Sequence, residues 1–212
     1  MSMNAGEERP TRSGAGIGIW VLLAVAVGAL VLSWATRNSR SGSEGAASHP
    51  SVGKKLSVVQ LQPLTGDAKP VQLVDLQGKV SLINFWGPWC GPCIIEFPHL
   101  VELQQHYDGQ GDFRFLSVSC SGGPGDDKAM EETTGAFLAE HKAQFPTYRD
   151  AEGVTRDHLT SIAGTGGFAY PTTVLLSRDV EIRALWLGYR EGDEAEMKRL
   201  VDAELDRKPV RP

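Results

Sequence analysis

Residues 86–93 read Trp-Gly-Pro-Trp-Cys-Gly-Pro-Cys and follow the strand-like run Val80-Ser81-Leu82-Ile83-Asn84-Phe85. Two thiols at this spacing can close into one disulfide and open again. If a strand ends near Trp86 and a helix starts at Cys90, the first thiol stands at a helix N-terminus, where unpaired N–H groups and the helix dipole favour an anion. The thiolate is the nucleophile, so Cys90 is the expected attacking group. Cys93, just under one helical turn on, is placed to resolve a mixed disulfide between Cys90 and a partner. Pro92 fits a first helical turn, where its missing N–H has no intrahelical partner to lose, and Gly91 leaves the Cys90 sulfur open to a protein substrate. Trp89, adjoining Cys90, is expected to touch that substrate, and Trp86 to fill the core.

Half of many structural zinc sites share this spacing, but a closed site needs four ligands. The only other cysteine is Cys120, and His49, His99, His106, His141 and His158 are scattered along the chain. No metal and no cofactor are therefore expected. The 212 residues carry a net charge of −5 with dispersed basic residues, which argues against nucleic-acid binding. Three cysteines are too few for a disulfide scaffold.

The elements that must position the thiols alternate along the chain. Short strands at Leu56 to Leu61 and Val71 to Leu73 are followed by the strand Val80 to Trp86 and a helix from Cys90 to about Tyr107. Next come a strand at Phe113 to Ser119, a helix at Met130 to Lys142, an extended piece at Phe145 to Arg149 and a helix at Val154 to Ala163. Strands at Thr172 to Leu176 and Glu181 to Leu187 form a hairpin, and an amphipathic helix spans Asp193 to Leu205. This order predicts an α/β fold, a mixed sheet with helices on both faces. Pro98, inside the first helix, is expected only to bend it.

The run Asn84 to Cys93, with Glu96 and Pro98 after it and Tyr170-Pro171-Thr172-Thr173 downstream, resembles the membrane-anchored thioredoxin-like proteins of the TlpA/ResA type, over Leu56 to Leu205. The resemblance implies a thioredoxin-like fold with extra N-terminal strands. It also implies a thiol–disulfide oxidoreductase working outside the cytoplasmic membrane, often in cytochrome c maturation. Its partners would be proteins carrying disulfides or thiols and a membrane-bound electron donor that recycles it. By the same resemblance the Tyr170–Pro171 bond is cis, Tyr170 offers its backbone to the substrate chain and Pro171 packs against the cysteines. Sequence alone would make that bond trans, since only about one X–Pro bond in twenty is cis.

Glu96 has two readings. A glutamate early in a helix is favoured by the dipole and needs no further reason. Yet the resolving thiol must lose its proton, and a carboxylate with a pKa raised by burial could take it; the resemblance carries a glutamate here. Thioredoxins proper have a buried aspartate where this chain has Asn84, which cannot titrate, so Glu96 is the nearest candidate base. Cys120 is read as an inert small hydrophobe; the sharper alternative, a third redox thiol exchanging with Cys90, requires the Ser121 to Asp127 loop to lie against the site. Two other functions stay open. One is a peroxiredoxin-like thiol peroxidase using Cys90, the other a copper-binding thioredoxin-like metallochaperone. The Gly-Pro pair between the cysteines is that of reducing thioredoxins, which favours reduction of substrate disulfides.

Ile17 to Ala35 is uncharged, with Trp20 and Trp34 near its ends, and reads as a transmembrane helix. A cleaved signal peptide with a Ser33-Trp34-Ala35 site is the competing reading. No cysteine follows to carry a lipid. Arg9 and Arg12 precede the run while Arg37 and Arg40 follow it, so charge leaves the orientation open and the resemblance places the catalytic domain on the extracytoplasmic, periplasmic side. The expected organisation is a tail at 1–16, an anchor at 17–36, a flexible linker at 37–55 and a thioredoxin-like domain at 56–208.

Overall fold

A computed structural model describes residues 27–28, 45–123 and 127–207. The chain divides into two units, Met1–Glu44 and Gly45–Pro212. Of the first unit only the helical pair Val27 and Gly28 is described, so the rest of the predicted anchor and the first part of the predicted linker lie outside the described residues. Among the described residues no helix is long and apolar enough to cross a membrane.

The second unit is built on a seven-stranded sheet: β1 (Gln60–Thr65), β2 (Val71–Gln72), β3 (Val80–Trp86), β4 (Phe113–Ser119), β5 (Thr147–Arg149), β6 (Thr172–Leu176) and β7 (Ile182–Leu187), in the order β2-β1-β5-β4-β3-β6-β7. The helices are α1 (Gly91–His106), α2 (Asp127–Glu140), α3 (Val154–Ala163) and α4 (Asp193–Leu205). β3, β4 and β5 run parallel; β6, β7, β1 and β2 join antiparallel, making the sheet mixed as expected. Every residue of β3 and β6 is buried. Their near-continuous apolar runs suit central strands covered on both faces.

Alternation along β3 assigns the two layers. Ile83 and Phe85 pack with Val118, Val174 and Leu159 of α3. Val80 and Leu82 pack on the opposite face with Leu100 and Leu103 of α1 and Met197 and Val201 of α4. A third apolar group, Trp86, Cys90, Cys93, Phe97, Phe137, Leu138 and Phe145, fills the space where β3 runs into α1 and α2 comes across. Full burial of one such aromatic contributes roughly 2–3 kcal/mol. α4 starts with Asp193, Glu194 and Glu196 in its first turn, carboxylates that suit the positive end of the helix dipole.

Two expectations are corrected. The first strand starts at Gln60 and not Leu56, because residues 53–56 pair elsewhere: the Gly53 N–H donates to Ile182 O at 2.9 Å, Ile182 N–H to Lys54 O at 2.9 Å and Leu56 N–H to Val180 O at 3.0 Å. For the same reason residues 45–55 are part of the folded unit and not a flexible linker. Ala46–Ser48 form a 3-10 turn, Ala46 is buried beside Trp186 and Met197, and Ser51 is buried and within 2.7 Å of His49 Nδ1. Small polar composition resembles a tether; pairing with Val180, Glu181 and Ile182, far along the chain, is what orders it.

Candidate active site

β3 ends at Trp86, three residues turn the chain, and Cys90 takes the N-cap position of α1 with extended backbone angles, φ −96° and ψ 109°. Its Sγ accepts the Cys93 N–H at 3.3 Å, meeting one of the helix's orphan donors. Pro92 sits in the first turn, where its missing N–H costs nothing. Cys90 and Cys93 are joined in a disulfide with their Cα atoms 5.2 Å apart. Cys90 keeps 6 % of its surface and Cys93 1 %, so Cys90 holds the route to the outside. Gly91 and Pro92 are exposed, and a Cβ on Gly91 would meet nothing within 4 Å. Behind the pair Trp86 is fully buried, as expected, its ring 4.5 Å from that of Phe97 and its Nε1 donating to Ser117 Oγ at 2.8 Å.

The Tyr170–Pro171 peptide is cis. Tyr170 meets Trp89 edge-on at 5.2 Å and Phe168 at 5.3 Å. Its phenol accepts from Arg156 Nη1 at 2.7 Å, and Arg156 Nε donates in turn to Asp150 Oδ2 at 3.2 Å. Asp150, buried, also accepts the backbone N–H groups of Thr155 (3.3 Å) and Arg156 (2.9 Å) at the start of α3. This Asp150–Arg156–Tyr170 chain was not found from sequence; Asp150 standing just before a helix start was the available signal. Trp89 is 49 % exposed and donates through Nε1 to Cys120 O at 2.8 Å. Two glycines admit its indole: a Cβ on Gly122 would come within 2.9 Å of indole Cδ2, and one on Gly87 within 2.8 Å of Cys120 O and closer still to the indole nitrogen.

Glu96 is buried on the same side of α1 as Cys93, so the reading of it as an ordinary exposed helix glutamate does not hold. Asn84 Nδ2 donates to Glu96 Oε2 at 3.0 Å and to Thr173 Oγ1 at 2.8 Å, while Thr173 Oγ1 reaches Glu96 Oε1 at 3.5 Å. Asn84 and Thr173 are directly paired across β3 and β6. Burial pushes the Glu96 pKa up to about 7; the Asn84 hydrogen bond pulls the other way, the charge of Asp193 adds to the rise, and the Thr173 hydroxyl opposes it. A buried carboxyl that titrates near neutrality can hold or release a proton beside the pair. Thr173 was missed as a member of this group because its role depends on strand register.

Cys120 follows β4 and bonds its N–H to Trp86 O at 2.7 Å. The described start of its loop lies against the site, where Trp89 Nε1 donates to Cys120 O, but its thiol is buried in the apolar group on the α3 face, whereas Cys90 and Cys93 belong to the third group, where β3 runs into α1. Burial raises its pKa to about 11, with the nearby Arg156 charge opposing. The structure therefore gives no support to direct exchange with Cys90. Among the described residues no group of three or more His, Cys, Asp or Glu side chains could hold a metal ion.

The geometry can be set beside known proteins. The profile of the AhpC/TSA family matches residues 52–185. The chain is similar to the thioredoxin-like protein YneN of Bacillus subtilis, 29 % identical over 150 residues, covering 71 % of this chain and 79 % of that one. It is also similar to the thiol-disulfide oxidoreductase ResA of Oceanobacillus iheyensis, 32 % identical over 122 residues, covering 58 % of this chain and 56 % of that one. Among solved structures, a putative thiol:disulfide interchange protein DsbE from Chlorobium tepidum superposes with a TM-score of 0.57 at 27 % identity, covering 73 % of this chain and 97 % of that one.

Proposed function

We propose that this chain, which belongs to the AhpC/TSA family and is a thiol–disulfide oxidoreductase of the thioredoxin-like TlpA/ResA type, reduces disulfides in extracytoplasmic proteins through Cys90 and Cys93. The observation that carries the reading is the closed Cys90–Cys93 pair at the start of α1, with the less buried sulfur on Cys90 and the cis Tyr170–Pro171 bond in the same fold. In the reduced protein the Cys90 thiolate attacks a substrate disulfide. The substrate S–S bond breaks, a Cys90–substrate disulfide forms, and the leaving substrate thiolate takes a proton from solvent.

Cys93 then gives its proton to Glu96 and attacks Cys90 Sγ, restoring the Cys90–Cys93 disulfide and releasing the second substrate thiolate, which receives the proton held on Glu96. Two electrons have passed from the pair to the substrate, and a membrane-bound donor returns them. Substrate docks with Trp89, Gly91 and Pro92 on one side of Cys90 and with the backbone of Tyr170, ahead of Pro171, on the other, pairing as an added strand. Residues 17–36 would hold the domain at the membrane, and the resemblance to the TlpA/ResA type would place its work in cytochrome c maturation; relatives named as a thiol-disulfide oxidoreductase and a thiol:disulfide interchange protein support the disulfide exchange itself.

Incubating the reduced protein with a disulfide-bonded protein, with hydrogen peroxide and with Cu(I) in parallel tests the reading. Substrate dithiol appearing in step with the Cys90–Cys93 disulfide is the expected result. Peroxide consumption that survives loss of Cys93, or stoichiometric copper uptake without disulfide reduction, would replace it with the peroxidase or the metallochaperone. Alkaline carbonate extraction of cell membranes, with protease access from outside, tests the anchor and its orientation.

A further inference from the structure

The first two turns of α1 have their polarity inverted. Glu96 is buried, while Ile94 and Ile95 are 40 % and 63 % exposed. Gly91, Ile94, Ile95 and Pro98 recur at i, i+3, i+4 and i+7, so they form one stripe along the helix, and all four are exposed. One turn further the exposed positions become polar, Glu102 and Gln105. The apolar stripe is thus confined to the stretch beside Cys90, and half-exposed Trp89 extends it past the N-cap. A helix that covers a core ordinarily shows solvent its charged side; here the charge has been taken inside and two branched aliphatic residues put out.

We infer that this stripe is a docking surface for the polypeptide whose disulfide reacts at Cys90, and that it selects segments with uncharged, apolar residues next to the reacting cysteine. The inference rests on the proposed function and names its substrate class. Bond formation at Cys90 Sγ requires a partner sulfur at covalent distance, so the chain carrying that sulfur must lie over the residues around Cys90, and the stripe starts there. A surface with no charge offers a charged flank nothing to pair with and would strip its water. An aliphatic flank instead removes both isoleucines from water. A second copy of this chain seated on the stripe would cover Cys90 and block the exchange, so the substrate segment is the occupant that fits the chemistry.

The test uses the full chain, reduced, and two synthetic peptides that share one intramolecular disulfide ring. Leucines flank the cysteines in one peptide and glutamates in the other. The reduced protein is expected to reduce the leucine peptide with a kcat/KM about tenfold higher, chiefly through KM. In Ile94→Lys/Ile95→Lys the preference should shift to the glutamate peptide, a gain that a misfolded variant cannot produce. Val74→Lys, an equally exposed aliphatic position just after the edge strand β2, four strands away from β3 in the sheet, should keep the wild-type preference. Equal reduction of the two peptides by the wild-type chain would overturn the inference and leave the oxidoreductase reading standing. A wild-type preference unchanged in the double lysine variant would also overturn it. Reduction of neither peptide would overturn both. A concentration-dependent dimer abolished by the lysines, with no peptide preference, would assign the stripe to a second copy and overturn the inference.

Discussion

β3 and β4 lie side by side, parallel and in register to their ends, Trp86 opposite Ser119, and each delivers a cysteine shortly afterwards. Beyond β3 the chain makes a three-residue turn and Cys90 caps a helix, its sulfur hydrogen-bonded to a backbone N–H and at the positive end of the dipole. Beyond β4 the chain enters a glycine-rich loop, and Cys120 turns onto the α3 face, where burial pushes its thiol up to about 11. One thiol is set for the anion, the other against it. Reactivity here follows from what succeeds the strand and which face the side chain takes, since residue type and strand are nearly matched.

The largest effect that would break this comparison concerns the thiols themselves. Cys90→Ser is expected to lower disulfide reduction at least about a thousandfold, measured as substrate thiol release, while alkylation of the native, reduced protein should label Cys90 quickly and Cys120 only on unfolding. Fast labelling of Cys120 would undo the distinction.

Next in size is Glu96→Gln. Loss of the proton acceptor should slow the resolving step by roughly a hundredfold and flatten a rate profile that otherwise rises through about pH 7, where Glu96 titrates. Stopped-flow tryptophan fluorescence across pH 5–9 reads both. An unchanged profile would relegate Glu96 to a structural role.

The same carboxyl also makes a stability prediction. Its pKa is raised from an ordinary 4.5 to about 7 by burial, so between these values the folded state holds more protons than the unfolded state. Glu96 thus contributes stability that is full below pH 4.5, is lost as pH rises toward 7 and is constant above that, a fall of about 3 kcal/mol. Urea titrations of wild type and Glu96→Gln at pH 5 and 8 should differ in this pH dependence, with the variant flatter. Smaller again, Asn84→Asp sets a second carboxylate against Glu96 and should move the rate profile up by at least about one pH unit. Cys120→Ser is the smallest: no change in rate or reduction potential, and a stability loss of about 1–2 kcal/mol for burying a hydroxyl in an apolar site.

Much of this arrangement could be read from residues alone. The bounds of β3, β4, β6, α3 and α4 follow from unbroken apolar runs or helical spacing punctuated by glycine and proline, and the Cys90 cap is local to one octad. The parts that escaped depend on distant partners. Residues 45–55 look like a tether until Gly53 and Lys54 pair with Ile182. Thr173 becomes a neighbour of Glu96 only through its register opposite Asn84, and Arg156 reaches Tyr170 only after α3 is laid on the sheet. The face taken by Cys120 likewise is set by the strand it ends. Composition and short-range spacing carry none of these pairings.

The central claim is that Cys90 is the sulfur that meets the substrate. Cys93→Ser cannot resolve the mixed disulfide, so reacting it with a disulfide-bonded protein and mapping the trapped adduct by peptide mass spectrometry addresses the claim directly. The account predicts a single cross-link at Cys90 with Cys120 free; a cross-link at Cys120, or no adduct while Cys90 remains reactive to alkylation, would contradict it.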